Sequence, residues 1–155
     1  VTNNDILRRL RYIFDISDSK MIALFAKADY AVTREQLSCW LKKEDDPSYK
    51  NCGDHQLAHF LNGFISVHRG QKEGPAHPAE KRLNNNIIFR KLKIALNLKD
   101  DEILAILDLA NLRVSRHELS AFFRKPEHKH FRECKDQILR NFLYGMQLKY
   151  RDKTE

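Results

Sequence analysis

The fold class predicted for this 155-residue chain is all-α: two homologous four-helix units, the product of an internal duplication, packed as a pseudo-two-fold pair. Three observations predict it. Residues 3–64 lie over residues 85–146 without a gap, with nineteen identical positions and most apolar positions kept apolar. Self-similarity at a constant offset marks a duplicated structural unit. Within each copy the apolar residues recur at the three- and four-residue intervals of a helix face. The five glycines and four prolines sit almost entirely between these periodic segments, where a turn-rich β fold would need many more. Two copies, each longer than a solenoid repeat, make two small domains rather than an array.

Each copy divides into four helices. In the first, Ile6, Leu7, Leu10, Ile13 and Phe14 share one face. The second starts near Asp18 and turns Met21, Ile22, Leu24 and Phe25 inward. Thr33 with Gln36 three residues on is a capping box that opens the third helix, and Ser115 with Glu118 repeats it. That helix buries Leu37, Trp40 and Leu41, matched by Leu119, Phe122 and Phe123. The fourth runs from about Asp54 to Arg69 with Leu57, Phe60 and Leu61 inside, and its counterpart ends near Tyr150. Asn84 to Asn86, echoed by Asn3 and Asn4, read as caps of a helix start. Between the copies, GQKEGPAHPAEKR has two glycines, two prolines and little apolar content, which reads as a linker. The units are therefore residues 1–69 and 84–150, with a linker at 70–83 and a tail at 151–155.

The segments NDILRRLRYIF, WLKKEDD, FLNGFI, RLNNNIIFRKLKIAL, DDEILAIL and HKHFRECKDQILRNFL together resemble the bacterial YehS-like family over almost the whole chain. The resemblance implies the tandem helical layout and a bacterial origin. It brings no established activity and no catalytic residues.

Several function classes are excluded by what the chain lacks. No apolar run approaches the roughly 20 residues that span a bilayer, and no signal peptide opens the sequence. Three widely spaced cysteines form no disulfide framework, so the expectation is a soluble cytoplasmic protein with reduced thiols and no membrane partner. There is no Gly-rich phosphate loop, no nucleophile elbow and no zinc-protease signature, which argues against an enzyme and against a bound cofactor. In RKPEHKHFREC (124–134), His128, His130 and Cys134 are the sole metal-ligand candidates. The first copy has Asp46 and Ser48 where the histidines stand, and no second cysteine lies at zinc spacing. The stretch reads first as a helix connection, with Cys52 and Cys134 packed as small hydrophobes.

Charge carries the functional signal. The net charge is +7, and it is uneven: nine basic and nine acidic residues in copy one, twelve and eight in copy two. Where copy one has Glu44, Asp45 and Asp46, copy two offers Arg124, Lys125, Lys129 and Arg132. Arg8, Arg9 and Arg11, over Arg90, Lys91 and Lys93, read as a basic ridge on the first helix of each copy. The second and third helices look like a helix-turn-helix, whose second member would present Arg116 and His117, although the connection is long for that motif and lacks its usual glycine. The leading expectation is a non-catalytic DNA- or RNA-binding protein with copy two as main contact. The alternative is an adaptor that docks protein partners on loops of opposite charge.

Overall fold

The computed structural model describes residues 1–70 and 78–152. Among them are eight α-helices and no strand. The first repeat holds α1 (Asn3–Ile13), α2 (Asp18–Lys27), α3 (Arg34–Leu41) and α4 (Asp54–Arg69). The second holds α5 (Asn85–Ala95), α6 (Asp100–Leu109), α7 (Arg116–Phe122) and α8 (Asp136–Met146), prolonged by a π-helical turn, Gln147–Arg151. The helix order is the same in both. Most of the expected linker, residues 71–77, and the tail residues 153–155 lie outside the described residues.

Helix ends follow local chemistry. Both capping boxes form, Thr33 with Gln36 and Ser115 with Glu118, and a third joins Thr2 to Asp5 at the start of α1. Asp15 and Asn97 close the first helix of each repeat at φ 50° and 52°, and Asp29 and Asn111 close the second at 59° and 60°. Aspartate and asparagine tolerate the left-handed region that a helix C-terminus calls for. Asn84 is an N-cap, accepting from Ile87 N. Asn3, Asn4, Asn85 and Asn86 are not caps. They lie inside α1 and α5 and reach across to a distant loop.

The core is one contiguous cluster drawn from both repeats. Phe25 packs on Trp40 and Phe60 in the first, and Phe89 on Phe122 and Phe142 in the second. Leu41 and Phe123 are only partly buried, at the rim. The fourth helix lies directly on the second in each repeat, and glycine makes this approach feasible. A Cβ on Gly63 would stand 1.7 Å from the Leu24 carbonyl oxygen, and one on Gly145 would stand 2.1 Å from that of Ile106.

The repeats are related by a pseudo-two-fold, visible in reciprocal contacts at the same offset. Leu83 N donates to Asp54 at 2.8 Å, and the Val1 amine lies 3.3 Å from Asp136. Arg69 at the end of α4 bonds Asn97, while Arg151 at the end of the π turn lies 3.2 Å from Asp15. Each repeat thus lays the end of its last helix on the turn that follows the first helix of the other, and α4 packs on α5 and α8 on α1.

Candidate anion-binding surface of the second repeat

The connection between third and fourth helices is long, and a buried asparagine holds it. Asn86, within α5, donates to the carbonyls of Phe122 at 3.0 Å and Arg132 at 2.8 Å, and accepts from Cys134 N at 2.9 Å. Asn4 makes the same three bonds to Trp40, Lys50 and Cys52. Both are buried, so the amide side chain satisfies backbone groups that lie wholly or partly out of reach of water. Asn85 and Asn3 add a second tie, to Cys134 and Asp136 and to Cys52 and Asp54. The loops even turn alike: Arg132 N bonds Ala121 O as Lys50 N bonds Cys39 O, both at 3.1 Å.

His128 has a definite task in this loop. Its Nδ1 accepts from His130 N at 3.0 Å, just as Asp46 Oδ1 accepts from Ser48 N at 2.8 Å in the first repeat. The histidine therefore replaces an aspartate as the acceptor of one tight turn. The rings of His117 and His128 flank that of His130 at 6.4 and 5.5 Å. Cys134 is buried beneath, its thiol pushed up to about 12 by burial and by the nearby charges of Asp136 and Glu133. That disfavours the thiolate a metal needs. Among the described residues no group of three or more histidine, cysteine or acidic side chains is placed to hold a metal ion.

The other expected contacts divide sharply. Arg8 donates to Lys42 O at 2.7 Å and pairs with Asp5. Arg11 bonds Ile16 O at 3.2 Å and Asp18 at 2.7 Å. Lys93, its counterpart, lies 3.1 Å from Asp100 and covers the Phe123 ring at 4.3 Å. Lys91 is held by Asn62 at 2.6 Å. Arg8, Arg11, Lys91 and Lys93 are thus tied down within the chain, and what remains of the expected ridge is the exposed Arg90 and the half-buried Arg9. Arg116 is exposed but pairs with Asp101. Lys125, Lys129, Arg132, His117 and His130 are exposed around the loop, and Arg124 is half-buried at its base.

Comparing equivalent positions shows what makes this surface basic. Arg8, Arg34, Lys42, Lys43 and Lys50 of the first repeat correspond to Arg90, Arg116, Arg124, Lys125 and Arg132, so most of the positive charge is common. The difference lies in the carboxylates. Asp5, Glu35, Glu44 and Asp46 become Ile87, His117, Pro126 and His128. Around the first loop five cations face five carboxylates, and around the second six face three, Asp101, Glu127 and Glu133. The loss of Asp5's counterpart is why Arg90 has no ion pair among the described residues while Arg8 does.

The α2–α3 and α6–α7 connections each hold six residues, 28–33 and 110–115. That exceeds the roughly three to four of the DNA-binding motif. No helix among the described residues is long and apolar enough to cross a membrane.

Comparison with known proteins bears on the duplication and not on the activity. No solved structure matches the chain. It is 47% identical over 145 residues to the uncharacterized protein YehS of Escherichia coli strain K12, covering 93% of each chain. The family model described as "Protein of unknown function (DUF1456)" matches twice, over residues 3–70 and 85–152. Those two matches coincide with the two helical repeats, and the chain belongs to the DUF1456 family.

Proposed function

We propose that this is a non-catalytic, cytoplasmic nucleic-acid-binding protein, in which the second repeat grips backbone phosphates. The observation that carries the reading is the selective loss of carboxylates around the α7–α8 loop on an otherwise unchanged scaffold. Arg124, Lys125, Lys129 and Arg132 neutralise phosphates, with Arg90 at the base of the surface and His117 and His130 as hydrogen-bonding neighbours. The α6–α7 pair acts as a helix-turn-helix-like support, and α7 lies alongside the backbone rather than deep in a groove, because Arg116 is already committed to Asp101.

Anisotropy titrations of a DNA duplex and a single-stranded RNA across a salt series test this. Replacing Arg124, Lys125, Lys129 and Arg132 with glutamine is expected to weaken binding at low salt. It should also flatten the slope of log affinity against log salt by about two to four. An unchanged slope would reject the surface. The adaptor reading, with protein partners docked on the acidic and basic loops, would then take its place.

A further inference from the structure

The histidines of the chain differ in which ring nitrogen they leave bare, and their hydrogen-bond partners decide it. On α4, His55 and His59 stand four residues apart, one helical turn along the same face. His59 Nδ1 lies 2.8 Å from the carbonyl oxygen of His55, and His55 Nδ1 lies 3.2 Å from that of Glu80. A carbonyl oxygen only accepts, so each Nδ1 carries the ring proton and donates it. Each neutral ring then keeps a lone pair on Nε2. Histidines that bind metal ions are held in this way, one nitrogen bonded to the protein and the other free for the ion. The two rings are 4.4 Å apart and edge to face at 85°, close enough for one ion to take both. The Tyr30 ring lies 4.4 Å from that of His59, and its hydroxyl accepts from Gln56 at 3.4 Å. Both imidazoles are thus oriented by the chain itself, with His55 exposed and His59 half-buried.

The other histidines lack one part or another of this arrangement. His128 Nδ1 accepts from His130 N at 3.0 Å, so its Nε2 bears the ring proton and neither nitrogen is bare. His68 donates to the Phe64 carbonyl at 2.9 Å as the α4 pair donates to its carbonyls, but no histidine stands four residues before or after it. In the second repeat the same helix forms with Gln137 and Asn141 in place of His55 and His59. The scaffold therefore does not require the pair.

We propose that His55 and His59 form a site on the first repeat for a divalent late transition ion, bound by the two Nε2 atoms and completed by water. Imidazole nitrogen suits copper, nickel and zinc, whereas magnesium and calcium take oxygen ligands. Two protein ligands are fewer than the three or four of resident zinc centres, so the ion exchanges with solvent and the fold does not depend on it. The site is separate from the loop surface of the second repeat and does not depend on nucleic-acid binding.

Calorimetric titration of the untagged full chain with Cu²⁺, Ni²⁺ and Mg²⁺, at neutral pH in a non-coordinating buffer, tests it. One equivalent of Cu²⁺ and one of Ni²⁺ are expected to bind, Cu²⁺ the more tightly, with no uptake of Mg²⁺. The electron paramagnetic resonance spectrum of the copper-loaded protein should show coupling to two imidazole nitrogens. His55→Gln and His59→Asn should each lose roughly tenfold or more in affinity, since losing a ligand costs at least as much as losing the group that orients it. These substitutions copy the second repeat, so the helix is expected to survive both, and circular dichroism checks that. His68→Gln and His130→Gln should bind as wild type does. Wild-type affinity in the His55→Gln, His59→Asn double variant, binding lost in His130→Gln instead, equal uptake of Mg²⁺, or no uptake of Cu²⁺ and Ni²⁺ by the wild type would overturn the assignment.

Discussion

The loops at 42–52 and 124–134 have one backbone and two surfaces. Both are pinned by a buried asparagine, both return to the third helix through the same bond, and both end on a buried cysteine. Around the first, cations and carboxylates balance; around the second, four carboxylates have gone. Residues that satisfy buried backbone groups or allow close approach are the same in both repeats: Asn4 and Asn86, Cys52 and Cys134, Gly63 and Gly145. Residues that face water have diverged in sign. A duplicated scaffold thus separates what holds the fold from what is free to specialise.

That separation can be broken first at the glycines. In both repeats a methyl group at this position meets a backbone carbonyl, which cannot rotate away as a side chain can. Gly63→Ala should therefore destabilise by about 3 kcal/mol or more, because α4 must lift off α2. Gly145→Ala should cost somewhat less, since a Cβ there would press less closely on its carbonyl oxygen. Urea melts of the two variants measure both. A change below about 1 kcal/mol in either would show that the helices are not packed as closely as described.

The buried asparagines come next. Asn86→Ala strands the buried Cys134 N–H and Phe122 carbonyl and the partly buried Arg132 carbonyl, and Asn4→Ala does the same in the first repeat. Each should lose about 2–4 kcal/mol. Asparagine to aspartate should rescue little in either case, since a carboxylate accepts from the cysteine N–H but cannot donate to the carbonyls. Equal losses in N4A and N86A would sharpen the equivalence of the repeats; a loss in one alone would break it.

The helices were legible in the sequence because each is set locally, by a cap and an apolar face. α4 was read end to end, Asp54–Arg69, and both capping boxes form where Thr33 and Ser115 indicated. The duplication was legible because it needs only an offset. The asparagine pairs were misread as caps, although their signal was present: the same two residues recur at the same place in both copies. Their partners lie 36 to 51 positions away, a separation no local pattern reports. The internal ties of much of the basic ridge were hidden for a related reason. Spacing puts Arg8, Arg11 and Lys93 on a polar face but does not say that Lys42 O, Asp18 and Asp100 meet them there. The charge contrast was visible in the loops, yet its origin in lost carboxylates emerges only when Asp5 and Glu35 are placed beside them.

If lost carboxylates make the second surface, removing those of the first should move it toward the second. Glu35→Gln, Glu44→Gln and Asp45→Asn together leave the loop intact, whereas Asp46 is best changed to asparagine because its side chain accepts a backbone bond. Nucleic-acid affinity should rise by at most about tenfold at low salt and converge with wild type as salt screens the difference. Stability should change by less than about 1 kcal/mol, since these charges are largely exposed. Weaker binding would show that the acidic loop contacts the partner directly, which the proposed arrangement does not allow.

The smallest effect expected is also the most specific test of the comparison. His128 and Asp46 occupy equivalent places and accept the same backbone N–H, from His130 and Ser48 respectively. An aspartate at 128 keeps that acceptor, so His128→Asp should leave stability within about 0.5 kcal/mol of wild type. His128→Ala removes the acceptor and should cost about 1 kcal/mol, the net worth of one partly exposed hydrogen bond. In binding the order reverses. His128→Asp restores a carboxylate among Lys125, Lys129 and Arg132 and should weaken phosphate contacts, while His128→Ala adds no charge and should leave them near wild type. Melts and salt-series titrations on the two variants read these opposite orders independently. If His128→Asp destabilises as much as His128→Ala, the histidine is not the aspartate's replacement, and the two loops share less than their backbones suggest.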